Sequence, residues 1–141
     1  MGIILLPIVA ILIIGRTFYP DNVAQTSPDG GTKHLTTRYY STDLVSAAKA
    51  VEEVVPTLST WGGSWKLIEN KIEGNNAIVK IEVPVVVFTD DLQVTIATQE
   101  NSEFVKLDVR SNSRVGKSDF GENRRHVVQI LDALDKKLKA K

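Results

Sequence analysis

The sequence predicts an α+β, two-layer domain behind an N-terminal apolar membrane segment. Its antiparallel sheet has four to five strands in meander order, with one helix before it and one after, both packed on the same face. Three observations carry this. Apolar residues recur at helical spacing from Leu44 to Leu58. Apolar and polar residues then alternate through segments between Ala77 and Ser111, and helical spacing returns from Val127 to Leu138.

The chain opens on "MGIILLPIVAILIIG", in which no side chain from Met1 to Gly15 is charged; Arg16 is the first. The run falls short of the ~20 residues of a full span. Snorkelling of Arg16, with Phe18 and Tyr19 at headgroup level, narrows the gap. A secretory signal, cleaved or truncated, is the rival reading, but it wants a basic start and a small-residue cleavage site that are missing here. A buried core segment is the third reading. Residues 1–19 are therefore read as a single-pass membrane anchor or uncleaved signal. Arg16, Lys33 and Arg38 behind the run lean the domain to a cytoplasmic or stromal side by the positive-inside rule.

Residues 20–33, "PDNVAQTSPDGGTK", have linker chemistry, with a tight turn at Pro28, Asp29 and Gly30. The α+β domain is assigned to residues 34–141. "HLTTRYYST" suits a short strand, after which Ser41, Thr42 or Asp43 can cap a helix. Its stripe is Leu44, Ala47, Ala48, Val51, Val54, Val55 and Leu58, ended by Pro56 and "WGGSW". Trp61 and Trp65 read as packing anchors; exposed, they would suit a membrane or protein contact. Strands follow at Trp65–Ile72, from Ala77, at Leu92–Thr98 and at Glu103–Ser111. Pro84 marks a bulge or an edge in the second of these. The last helix runs to about Lys139, with Val127, Leu131, Leu134 and Leu138 inward. The uncovered sheet face carries Lys80, Glu82, Gln93, Thr95, Lys106, Asp108 and Arg110.

Composition limits the chemistry. Apolar residues at 43% and charged residues at 24% of 141 fit one globular domain rather than disorder. Seventeen basic residues balance seventeen acidic ones, which excludes nucleic acid as a partner because such binding needs a basic excess. With no cysteine and two histidines, no metal site and no cofactor are expected. There is no phosphate-cradling glycine loop, and His126 reads as solvated on the outer side of its helix.

Charge concentrates at the joint "RSNSRVGKSDFGENRRH", Arg110–His126. Asp119 and Glu122 have capping-pair spacing at the positive end of the last helix. Extending the stripe back from Leu131 and Val127 reaches Arg124 and Phe120, so Arg124 points inward with Asn123 beside it. A buried guanidinium needs acceptors. The nearest are Asp90 and Asp91, read as a turn in "FTDDL". One of them should meet Arg124 or Arg114, and this structural pin comprises Asp90, Asp91, Arg114, Asp119 and Arg124. The alternative reading is an anion or polar-ligand site built from Arg110, Arg114, Asn123 and Arg124. Acid–base catalysis by Asp90 or Asp91 is the least favoured.

"DVRSNSRVGKSDFGENRRHVVQILDAL", with "FTDDL" upstream, resembles the domain-of-unknown-function family 1499. The matching positions are Arg110, Ser111, Ser113, Arg114, Gly116, Ser118, Asp119, Gly121, Asn123 and Arg124, with Asp90 and Asp91. "RYYSTDLVSAAKAVEEVVPTLSTWG" looks like the form found in cyanobacteria and plastid-bearing lineages. Many members have a Pro-Asn-Cys-Val-Ser-Ser segment after the leader; "PDNVAQTSPDGG" lacks it, so nothing that cysteine does carries over. The resemblance implies an α+β domain beyond a leader or anchor, and no established reaction. The resulting expectation is a membrane-anchored, non-enzymatic accessory domain that binds a protein partner, in a photosynthetic (thylakoid) membrane complex as the resemblance alone implies. Lys106, Arg110, Arg114, Asn123 and Arg124 are the candidate contacts. A small-ligand or anion-binding module is the alternative.

Overall fold

A computed structural model describes residues 23–30, 35–86, 88–99, 103–114 and 122–138. The apolar run at 1–19 and Asp119 lie outside the described residues. The strands are β1 (Val23–Gln25), β2 (Arg38–Tyr40), β3 (Ser59–Thr60), β4 (Gly63–Ser64), β5 (Lys66–Glu73), β6 (Asn76–Val85), β7 (Phe88–Thr98) and β8 (Val105–Ser113). The helices are α1 (Leu44–Val54), extended by a 3-10 turn at Val55–Thr57, and α2 (Glu122–Lys137).

The main sheet is an antiparallel meander, β5-β6-β7-β8, with both β1 and β2 paired to the far side of β8. The 20–33 segment is therefore more than a linker. Val23–Gln25 pairs with Arg110–Asn112, a strand too short and too polar in context to leave a period. Between β1 and β2 stands the expected turn, where Gly30 has φ 60° and its N–H donates to Ser27 Oγ at 2.9 Å. Asp108 closes that gap, accepting hydroxyls from Thr26 at 2.7 Å and Thr37 at 2.5 Å. It is thus engaged at the edge rather than free on the open face.

Helix α1 starts where Asp43 caps it: one carboxylate oxygen takes the Ser46 N–H at 2.8 Å, the other the Ser46 hydroxyl at 2.9 Å. Those bonds, the backbone one first, hold the Asp43 carboxyl below its ordinary value. Pro56, in the first turn of the 3-10 segment, stops the α-helix. Leu44, Ala47, Ala48, Val51, Val54, Val55 and Leu58 are all buried, on one side of the sheet. There they meet Val79, Ile81, Leu92, Val94, Ile96, Leu107 and Val109, together with Val127, Ile130, Leu131 and Leu134 of α2. Each such side chain contributes roughly 1.5–3 kcal/mol on burial, which is why the alternation of the strands fixes their register. A second tie joins the layers: Asp135 of α2 accepts from the Tyr40 hydroxyl at 2.6 Å and from Arg38 Nε at 3.1 Å. Burial, then the Asp135 hydrogen bond, pushes the Tyr40 phenol well above its usual value.

One sequence expectation changes at the β6–β7 connection. The aspartates of "FTDDL" are not at a turn but inside β7, with Asp90 opposite Val83 and Ser113, and Asp91 opposite Glu82 and Asn112. The turn lies between Val85 and Phe88, which pair with each other. Pro84 stays in β6, opposite Thr89 and past the last β5 pair, Lys66 with Glu82, so it stands at an edge on that side. The β3–β4 turn seats on it: the Thr60 hydroxyl donates to the Pro84 carbonyl. A Cβ on Gly62 would fall 2.8 Å from the Pro84 carbonyl carbon, so only glycine permits this approach.

Candidate functional site: the joint and the open sheet face

The charged joint divides into two halves on opposite sides of the sheet. Period-two geometry puts Asp90, Ser111 and Ser113 inward, and Asp91, Arg110, Asn112 and Arg114 outward. The candidate ligand cluster is therefore not one site. Asn123 is buried under α2, while Lys106, Arg110 and Arg114 lie on the open face.

On the inner side, the first turns of α2 lay Asn123 and His126, each 1% exposed, against β7 and β8. Asn123 Oδ1 accepts the Ser111 hydroxyl at 2.7 Å, and its Nδ2 donates to Ser113 Oγ at 2.9 Å. His126 lies between two carboxylates: Nε2 is 2.9 Å from Glu122 Oε1, and Nδ1 is 3.2 Å from Asp90 Oδ2. The Nδ1 contact is close enough for an ion pair but off the line of a good hydrogen bond. Trp65 meets the imidazole edge-on, centroids 5.9 Å apart. Burial raises the Glu122 carboxyl, but the Arg125 hydrogen bond and the charges of His126 and Arg125 outweigh it and hold Glu122 below its ordinary value.

Arg124 as the inward partner of Asp90 is thus corrected. Arg124 is half-buried, and the group against Asp90 is His126, a residue expected in solvent. The stripe of α2 passes through Asn123, His126, Val127, Ile130, Leu131 and Leu134. The spacing of Val127 and Leu131 alone admits either phase. The signal available was Glu122 and His126, one turn apart, with Asn123 three residues before His126.

The seam is a clamp rather than a triad. Both imidazole nitrogens face carboxylates, and the two nearby hydroxyls are engaged with Asn123. The carboxylates sit on opposite nitrogens and do not converge as a metal cage would; among the described residues no metal-binding set of His, Asp or Glu occurs.

On the outer side Arg114 donates to Asp91 from Nε at 3.0 Å and to Glu82 from Nη2 at 2.5 Å, spanning three strands. The Asp91 and Glu82 bonds push the guanidinium further above its already high value. Arg114 does meet Asp91, but as a half-exposed clasp. With two carboxylates on it, it offers no unneutralised charge to an anion. No described element covers this face. It has two shallow depressions, one of about 500 Å³ lined by Lys71, Ile78, Thr95, Lys106 and Asp108, the other of about 190 Å³ by Ile68, Lys80, Gln93, Arg110 and Arg114.

No curated protein matches the chain in sequence. Among solved structures it is similar to protein CV1439 from Chromobacterium violaceum, with 12% identity, TM-score 0.42, and 85% of this chain and 99% of that one covered. It is also similar to TTHA0849 from Thermus thermophilus, with 8% identity, TM-score 0.34, and 81% and 94% covered. A third is the ZhuI aromatase/cyclase from Streptomyces sp. R1128, with 9% identity, TM-score 0.27, and 82% and 84% covered. The family model "Protein of unknown function (DUF1499)" matches residues 19–134, which include both aspartates of β7 and the whole joint, and the chain belongs to that family.

Proposed function

We propose that this chain is a membrane-tethered, non-enzymatic accessory domain that docks a protein of a membrane complex on the open face of its sheet. The observation that carries the reading is that both helices pack on one face, leaving the other, with Lys106 and Arg110, uncovered among the described residues. Its shallow depressions mix charges with isolated apolar side chains such as Ile78, a texture of macromolecular contacts; small ligands are held in enclosed, mostly apolar pockets. The non-enzymatic part is supported by His126, which is 1% exposed and held between the carboxylates of Glu122 and Asp90. The tether is the uncharged run from Met1 to Gly15. Among the described residues no helix is long and apolar enough to cross a membrane. The cyanobacterial or plastid look of the first helix segment makes the complex a thylakoid one in this reading.

The test is affinity isolation of the full chain from solubilised membranes. Lys106→Glu together with Arg110→Glu should abolish co-purification of the partner while changing stability by no more than about 0.5 kcal/mol, as surface substitutions do. Undiminished co-purification with both substitutions present would remove the open face from the proposal.

A further inference from the structure

Two turns meet at one end of the sheet and expose apolar side chains there. Trp61, at the tip of the β3–β4 turn, is 97% exposed, whereas Trp65 four residues on is 3% exposed. Val86 and Phe88, at the β6–β7 turn, are 68% and 54% exposed. The turns are in contact, since Gly62 sits on the Pro84–Val85 backbone and Thr60 donates to Pro84. Val86 adopts φ 53°, the left-handed region a β-branched residue enters only with strain. The β6–β7 turn leaves two residues between paired strand ends, a connection for which Asn-Gly is the unstrained solution. Apolar side chains are thus held at this tip at a cost in strain and exposure. Neither turn contains a charged residue, from Ser59 to Trp65 or from Val83 to Thr89.

The direction of the chain places this tip relative to the tether. Val23 lies in one row with Asn112, Asp91 and Glu82. From that row β1 runs away from the tip, so the chain enters the sheet from the tip's end. Phe88 is three residues beyond Asp91, or ~10 Å further toward that end. Gly15 precedes Val23 by eight residues, a reach of at most ~28 Å. A bilayer that holds the apolar run can therefore lie against Trp61, Val86 and Phe88. Uncharged turns led by a tryptophan match the chemistry of the headgroup boundary, where the indole ring is buried and its N–H stays wet. A protein interface would ordinarily surround such anchors with polar groups.

We propose that the Trp61–Val86–Phe88 tip inserts into the interfacial layer of the membrane that anchors the chain, fixing the orientation of the domain and turning its open face sideways along the bilayer. This deepens the tethered reading and rests on it. The experiment uses the full chain reconstituted in phosphatidylcholine vesicles, with and without bromine on the acyl chains, beside its W61F variant; the difference in emission isolates Trp61. Brominated lipid should remove most of the Trp61 emission, while Trp65, in the core, is spared. Trp61 quenched by aqueous iodide but not by brominated lipid, in a chain that floats with the vesicles, would overturn the tip and leave the tether standing. Protection from both quenchers would mean that protein covers the tip, which also overturns the lipid contact. A chain that fails to float with the vesicles after a high-salt wash would overturn the tether, and the tip with it.

Discussion

At the scale of single residues, the Asp90–His126 contact decides what the charged joint is for. Asp90 is 4% exposed and His126 1%, so removing either strands the other away from water. Asp90→Ala or His126→Ala should each cost about 3 kcal/mol. The double variant should cost less than their sum by roughly 1–3 kcal/mol, read from denaturant melts in a double-mutant cycle. Additive effects would mean that the two do not interact. Glu122, on the other imidazole nitrogen, adds a pH signature. Its folded carboxyl titrates below the ordinary 4.5, so its contribution is complete above that value and is lost as pH falls through the depressed one. Glu122→Gln should therefore lower stability at neutral pH, and the gap to the parent should close in acid below about 4.5. A gap that is constant with pH would deny Glu122 that role. The sequence singled out Asp90 but set it at a turn facing Arg124 or Arg114, and His126 read as solvated. A lone histidine on a charged helix end carries no mark of burial, and a pair of adjacent aspartates looks like a turn until its strand register assigns them to opposite faces.

At the scale of elements, the legible parts were those with long periods. The α1 stripe from Leu44 to Leu58 and the alternation of β6 and β8 appear as read, because many buried side chains enforce one phase. Legibility failed where few residues vote. Val23–Gln25 is too short for a period, the first turn of α2 admitted two phases, and the β6–β7 turn carries none of the residues that announce a turn. That last failure has a physical cause: valine occupies a left-handed position where glycine or asparagine would be unstrained. Val86→Gly should relieve the strain and raise stability by about 1 kcal/mol, less the extra freedom glycine gives the unfolded chain. The melt should rise or hold. A clear fall would mean that the Val86 side chain is packed rather than exposed.

At the scale of the whole molecule, the sheet has a covered and an open face, and one end through which the chain enters. Deleting residues 1–19 should release a domain that no longer sediments with membranes and melts cooperatively, because the sheet and both helices pack a core drawn from Tyr40 to Leu134. Retention on membranes after deletion would transfer the attachment to the domain itself. The placement of β1 and β2 reaches further than attachment. Among the described residues both form their ladders with β8, β1 across more than half the chain and β2 across nearly half, so strands made early wait for one made late. Closing so long a loop is entropically costly and is repaid only when β8 docks. During synthesis, β5, β6 and β7 can zip together as they emerge, but until Ser113 has left the ribosome the far ladder of β7 stays open to any other strand. Nascent chains halted within β8 should therefore aggregate or recruit chaperones, and release of a few more residues should commit the sheet to its final order in one step.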